Sequence, residues 1–192
     1  MTTFHLVRHG PTHEKAFVGW RDVPADLSDL DAVRRLHAGL PQTALLISSD
    51  LTRAVQTADA IGDGRIRLPH DRNLREFDFG DWDGQIFAQA AETHPELSRS
   101  FWETPGDIAA PNGESWHDVA IRTARTLDRL HEDHPGADII VVGHFGMILT
   151  QLGRAHGTDP AVTIGQKIDN LSVTTLRRHD AGWDTPRINH VF

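Results

Sequence analysis

Apolar residues recur along this chain in two rhythms that alternate from start to end. Phe4-His5-Leu6-Val7 is a short strand-like run, Ala44-Leu45-Leu46-Ile47 is continuous as a strand covered on both faces should be, and Ile139-Ile140-Val141-Val142 is the clearest buried strand. Helical spacing fills the gaps between them. Leu30, Val33, Leu36 and Leu40 follow a helix-start signature at Ser28 and Asp31. Ser48-Ser49-Asp50 is placed to cap a helix that turns Leu51, Ala54, Val55, Ala58 and Ile61 inward. The longest helix follows Ser115, with Trp116, Val119, Ala120, Thr123, Leu127 and Leu130 on its inner face. Asp118, Arg122, Arg125, Arg129 and Glu132 lie on the opposite face, and Pro135-Gly136 stops the helix. Met147, Ile148, Leu149, Gln151 and Leu152 begin another. Arg65 to Leu68 reads as a short third strand, while Leu171 to Arg177 and Ile188 to Val191 complete the sheet. The alternation predicts an α/β fold, a three-layer sandwich with a mostly parallel central sheet flanked by helices.

The rhythm breaks between His70 and Asn112, where Asp, Gly, Pro and Trp are frequent. This irregularity predicts an insertion or lid at about 77–112 within one domain over 1–192. Gln85 to His94 and Leu97 to Glu103 read as its helices. Trp82 and Trp102, lying in it, are the tryptophans expected to meet a substrate.

A length of 192 residues suits one domain with a core that needs no staples. With no cysteine, disulfides, iron–sulfur ligation, thiolate zinc sites and cysteine nucleophiles are excluded. The formal charge of -8, from 27 acidic and 19 basic residues, argues against nucleic acid as a partner. Met1 to His9 lacks the apolar region of a signal peptide, and no stretch reaches the ~20 apolar residues of a membrane span. The expectation is a cytoplasmic protein with no membrane partner.

Two strands run directly into histidine turns, Leu6-Val7-Arg8-His9-Gly10 and Val141-Val142-Gly143-His144-Phe145-Gly146. Ligands of open α/β sheets gather at the carboxyl ends of strands, so parallel neighbours here would place both imidazoles in one crevice. Arg53, in the first turn of the helix after Ile47, and Arg8, beside His9, add two planar cations that suit a phosphate. Glu76 lies between Leu74 and Phe77, where a carboxylate near bound phosphate serves as a general acid. Asp78, Asp81 and Asp83 read as turn residues. His131 and His134 are a conceivable metal pair, yet they adjoin a helix end where histidines meet terminal carbonyls.

Taken in order, these pieces resemble the histidine phosphatase superfamily, in the branch of cofactor-dependent phosphoglycerate mutase and its phosphatase relatives. The matching segments are Leu6 to Thr12, Ser48 to Ala58, Leu74-Arg75-Glu76 through Gly84, Gly113-Glu114-Ser115, Val142-Gly143-His144 and Asn170 to Val173. The resemblance implies a phosphoglycerate mutase-like fold. It makes His9 the nucleophile of a phosphohistidine intermediate and Glu76 the acid, then the base. Arg8, Arg53 and His144 would bind the phosphoryl oxygens, His144 as an imidazolium, without a metal or other cofactor. Pro11, Lys15 and Phe145 depart from common family residues, and Thr12, Lys15 and Phe145 are the positions expected to touch the substrate. The implied partner is a small phosphorylated metabolite. Hydrolysis is the first reading, since a mutase goes with a longer chain that shields the intermediate. Mutase-type transfer and a non-catalytic phospho-ligand binder are the alternatives.

Overall fold

The computed structural model describes residues 1–192. Six strands, β1 (Thr2–Arg8), β2 (Leu45–Ser48), β3 (Ile66–Arg67), β4 (Asp138–Gly143), β5 (Val173–His179) and β6 (Gly182–His190), form one sheet in the order β3-β2-β4-β1-β5-β6. The first four in that order are parallel to one another. β5 and β6 extend the sheet antiparallel. Helices α1 (Leu30–Gly39), α2 (Thr52–Ala60), α5 (Trp116–Asp133) and α6 (Phe145–His156) cover it, while α3 (Phe87–Thr93), α4 (Pro95–Glu103) and the short α7 (Pro160–Thr163) lie between these elements in the chain.

The continuous apolar runs are explained by two cores, because successive strand residues point to opposite faces. Phe4 and Leu6 of β1 and Ile139 and Val141 of β4 join a core with Leu127 of α5 and Leu149 of α6. Their neighbours Val7, Ile140 and Val142 join the second core, with Val33 and Leu36 of α1 and Ala54 and Ala58 of α2. Each fully buried aliphatic side chain contributes about 1.5–3 kcal/mol relative to exposure, so these central strands are fixed from both sides. No helix is long and apolar enough to cross a membrane.

Several predicted details shift. α1 is capped by Asp29, which accepts the Ala32 N–H, rather than by Ser28, and Leu30 at its first position is 57% exposed. α2 takes no cap from Ser48-Ser49-Asp50. Asp22, thirty residues upstream, accepts the Thr52 N–H and the Thr52 hydroxyl, each at 2.7 Å. The serine and aspartate of the expected cap are committed elsewhere in the site.

Much of the segment at 77–112 packs into the core. Phe77, Phe79, Trp82 and Phe101 belong to the first core, with Phe101 edge-on to Trp82 at 5.5 Å between centroids. Trp82 is fully buried and is not a substrate contact, because a ring of that size contributes more by completing the core than by facing solvent. Gly80 and Gly113 hold this segment close. A Cβ on Gly80 would stand 2.0 Å from the Pro111 carbonyl oxygen, and one on Gly113 would stand 2.3 Å from that of Asp78.

Candidate active site

The β1–β4 register pairs Arg8 with Gly143, so His9 and His144 leave neighbouring strands at one level. Their ring centroids are 5.0 Å apart. The His9 N–H continues the ladder to the Gly143 carbonyl at 3.0 Å, and the Asn170 amide donates to the His9 carbonyl at 2.8 Å. Thr57 of α2 accepts the Gly10 N–H at 3.0 Å and itself donates to the Arg53 carbonyl at 2.7 Å. The His9 turn is thereby tied to three elements.

His9 Nδ1 donates to the Gly10 carbonyl at 2.6 Å, which leaves Nε2 with the lone pair. Burial first, then the charges of Arg53 and Arg8, push the imidazole down to a pKa of about 3, overriding the opposite pull of the Gly10 carbonyl. His9 is therefore a neutral base at physiological pH. His144 is fully buried with Ser49 Oγ 2.7 Å from its Nε2. Burial, Arg53 and His9 hold its pKa well below the ordinary histidine range. Burial at zero solvent exposure, three arginines and a second histidine all disfavour a proton on this ring.

Arg53 is also fully buried, donating to the carbonyls of Gly19 at 2.7 Å and Arg21 at 3.1 Å. Arg8 donates to the Ile168 carbonyl at 2.6 Å and stands 5.4 Å from the centre of the Phe145 ring. The Nε atoms of Arg8 and Arg53 and the Nδ1 atom of His144 are buried with no protein partner. An unsatisfied buried donor costs about 1–3 kcal/mol, a strain that an anionic ligand relieves.

Glu76 reaches the same place from the irregular segment. Its carboxylate accepts the N–H of Phe77 at 3.0 Å and of Gly146 at 3.1 Å. Both arginines feel its charge. Only glycine fits at 146, since a Cβ there would stand 2.6 Å from the Glu76 carboxylate and 2.4 Å from the Phe77 ring. The backbone below Glu76 is gripped by Arg122, whose guanidinium donates to the carbonyls of Asn73, Arg75 and Glu76 at 2.7–2.8 Å. Glu114 completes that clamp bidentately at 2.8 Å and accepts the Asp78 N–H at 2.9 Å. Asp50 pairs with Arg75 through two 2.6 Å hydrogen bonds, and Trp20 donates to the Glu76 carbonyl at 2.9 Å.

His9, His144, Arg8, Arg53 and Glu76 thus come together as the sequence predicts. Lys15 is exposed, Thr12 makes no side-chain hydrogen bond, and neither lines the adjoining cavity. The chain leaves β1 into a turn in which His13 takes a positive φ of 57°, and Lys15 lies two residues beyond it in exposed chain. Phe145 and Trp102 do line that cavity, a narrow apolar space of about 40 Å³ with Glu76 in its wall. His131 is used structurally, with Nδ1 2.7 Å from the Thr2 hydroxyl, and His134 caps the end of α5. Sequence reasoning missed Ser49 as the His144 partner and Arg122 as the Glu76 clamp. The helical period put Arg122 on the solvent side, and nothing local announces that the 73–76 backbone folds over it.

The model of the histidine phosphatase superfamily (branch 1) matches residues 4–191. Phosphoglycerate mutase-like protein 4 of Arabidopsis thaliana is 32% identical, over 91% of this chain and 79% of its own length. Bifunctional protein Rv2228c of Mycobacterium tuberculosis is 35% identical over 97% of this chain, which spans about half, 53%, of that relative. Among solved structures, mycobacterial glucosyl-3-phosphoglycerate phosphatase Rv2419c superimposes with a TM-score of 0.84 at 26% identity, covering 97% of this chain and 98% of the other.

Proposed function

The chain belongs to the histidine phosphatase superfamily, and from that premise we propose a phosphomonoester hydrolase that works through phospho-His9 on a small phosphorylated metabolite. The observation that carries the reading is the state of His9: neutral, buried, with Nδ1 committed to the Gly10 carbonyl and Nε2 free to attack. In the first step the Nε2 lone pair forms a bond to phosphorus while the ester P–O bond breaks. Glu76, holding a proton, delivers it to the departing alkoxide. The ring then carries the phosphoryl group on Nε2 and its proton on Nδ1, where the Gly10 carbonyl offsets the positive charge. In the second step Glu76 takes a proton from water as the oxygen attacks phosphorus. The P–N bond breaks, returning neutral His9 and inorganic phosphate.

Arg8, Arg53 and His144 supply donors for the three non-bridging oxygens, the work that a divalent cation does in other phosphoryl-transfer sites. Their unpartnered nitrogens support that role. Glucosyl-3-phosphoglycerate phosphatase, the similar solved structure, supports hydrolysis by its name.

The test is hydrolysis of p-nitrophenyl phosphate and a phosphometabolite panel in the presence of EDTA, with wild type and His9→Ala side by side. Activity should survive EDTA and fall to background in His9→Ala, and wild type quenched in alkaline detergent should carry a phosphoryl group that is stable in alkali and lost in acid. Full activity in His9→Ala would sink the mechanism. Rapid isomerisation of 3-phosphoglycerate primed with 2,3-bisphosphoglycerate, without phosphate release, would make the protein a mutase.

A further inference from the structure

Arg53 lies at zero solvent exposure, and its direct hydrogen bonds go to the carbonyls of Gly19 and Arg21. Both acceptors belong to the stretch from His9 to Asp29, which contains neither helix nor strand. No regular ladder therefore fixes the groups that aim the guanidinium. Asp83 supplies what the loop lacks. Its carboxylate accepts the Gly19 N–H at 3.1 Å through one oxygen and the Arg21 N–H at 2.8 Å through the other. The two residues whose N–H groups it holds are thus the two whose carbonyls receive Arg53. The Val18 carbonyl, which shares a peptide unit with the Gly19 N–H, is a third acceptor 3.4 Å from the guanidinium, so the carboxylate also polarises a group that meets Arg53. Two backbone bonds flank this contact, from the Phe17 N–H to the Gln85 carbonyl at 2.9 Å and from the Gly84 N–H to the Phe17 carbonyl at 3.0 Å.

We infer that Asp83 is a positioning residue for Arg53, bracing through residues 18–21 the guanidinium that receives the phosphoryl group. The inference rests on the phosphomonoesterase reading and deepens it. The Asp83 side chain is only 14% exposed, so its charge-assisted bonds compete little with water. Glycine at 19 keeps the loop close, since a Cβ there would stand 2.4 Å from the Phe77 carbonyl oxygen. Arg53 feels the charges of Glu76, Asp22 and Asp83, and Glu76 is the one that holds a proton when the ester is cleaved. Asp83 keeps its charge through that step. The Nε of Arg53, buried without a protein partner, is a donor left for a phosphoryl oxygen, and its direction follows from where the other two nitrogens are held.

The experiment is a double-mutant cycle. Asp83→Asn keeps the side-chain shape but must turn its NH2 group towards one of the two N–H groups. It should lower kcat/KM by about tenfold, equally for an alkyl phosphate and for p-nitrophenyl phosphate, because both present the same phosphoryl oxygens. A loss confined to the alkyl phosphate would place the effect on Glu76 and overturn the inference. Arg53→Lys removes the planar fork, and in that background Asp83→Asn should lower kcat/KM by less than about twofold. Losses that multiply would overturn the inference and leave Asp83 a residue of the fold alone. Should Asp83→Asn fail to fold, Asp83→Ser, with one acceptor oxygen in place of two, carries the same cycle. Calorimetric binding of inorganic phosphate reads the cage without turnover, and Asp83→Asn should weaken it only where Arg53 is present. Hydrolysis by wild type with phosphate affinity unchanged in Asp83→Asn would overturn the inference and leave the hydrolase reading standing. No hydrolysis of any ester by wild type, with phosphate affinity still lost through Arg53, would overturn the hydrolase reading and support the brace.

Discussion

Gly146 shows how little room the catalytic groups have. Its N–H is bonded to the Glu76 carboxylate, and the space a methyl group would need is already filled by that carboxylate and by Phe77. Gly146→Ala should therefore displace Glu76 and lower kcat on alkyl esters by about 10²-fold, while p-nitrophenyl phosphate, whose leaving group needs no proton, should still phosphorylate His9 and let the phosphoenzyme accumulate, as single-turnover trapping reads directly. His9 makes a second prediction at this scale. Its folded pKa of about 3 lies below the ordinary value of 6.5, so between those values the unfolded chain binds the proton that the folded one refuses. Stability attributable to His9 is thus complete above about pH 6.5 and declines as pH falls towards 3. His9→Ala should remove about one proton from the pH slope of the unfolding free energy in that window, measured by urea titration at several pH values. The same depression keeps the nucleophile neutral in weak acid. After correction for ionisation of the ester, kcat/KM should show no break near pH 6.5, and a fall centred there would contradict the assignment.

The site reaches its geometry through whole elements, and here the sequence is legible to unequal degrees. β1 and β4 announce themselves because their runs are apolar apart from His5 and feed cores on both faces of the sheet, and Arg8-His9 and Gly143-His144 follow at their ends. The start of α2 misleads, since its cap is Asp22 from a distant loop while Ser49 serves His144 and Asp50 serves Arg75. Long-range partners of this kind leave no local period to detect. Arg122 on α5 is the clearest case: a charged residue on the predicted solvent face of an amphipathic helix whose five donors all serve the Glu76 segment and Glu114. Arg122→Met should leave Asn73, Arg75 and Glu76 carbonyls short of donors and let the acid drift. We expect a loss of about 10²-fold in kcat/KM, which reads the phosphorylation step, on alkyl esters, which need their leaving oxygen protonated, and a much smaller loss in kcat/KM on p-nitrophenyl phosphate. Equal losses on both would mean that Arg122 only holds the fold. The irregular segment at 77–112 resisted reading for a related reason, because its aromatics find partners scattered over α4, α5 and α6 instead of along one strand or helix.

Across the whole molecule the charge of -8 surrounds a buried cationic cage. The long-range field opposes a dianionic ester, and salt screens that field more than it screens contacts made at zero exposure. Raising sodium chloride from about 10 to about 150 mM should therefore increase kcat/KM for a dianionic substrate about two- to threefold with kcat unchanged. A steep decline would show that the attraction extends into solvent. The pairing of Arg8 with Gly143 across β1 and β4 has a wider consequence. It lets the central sheet set the reacting atoms while the aromatic wall comes largely from a different stretch of chain, between Phe77 and Ile108. The groups that handle phosphate and most of the aromatics beside them are thus encoded apart, yet they are coupled where the Phe77 N–H holds Glu76 and the Phe77 ring fills the space at Gly146, so an exchange of the later stretch has to begin beyond Phe77 to spare the acid.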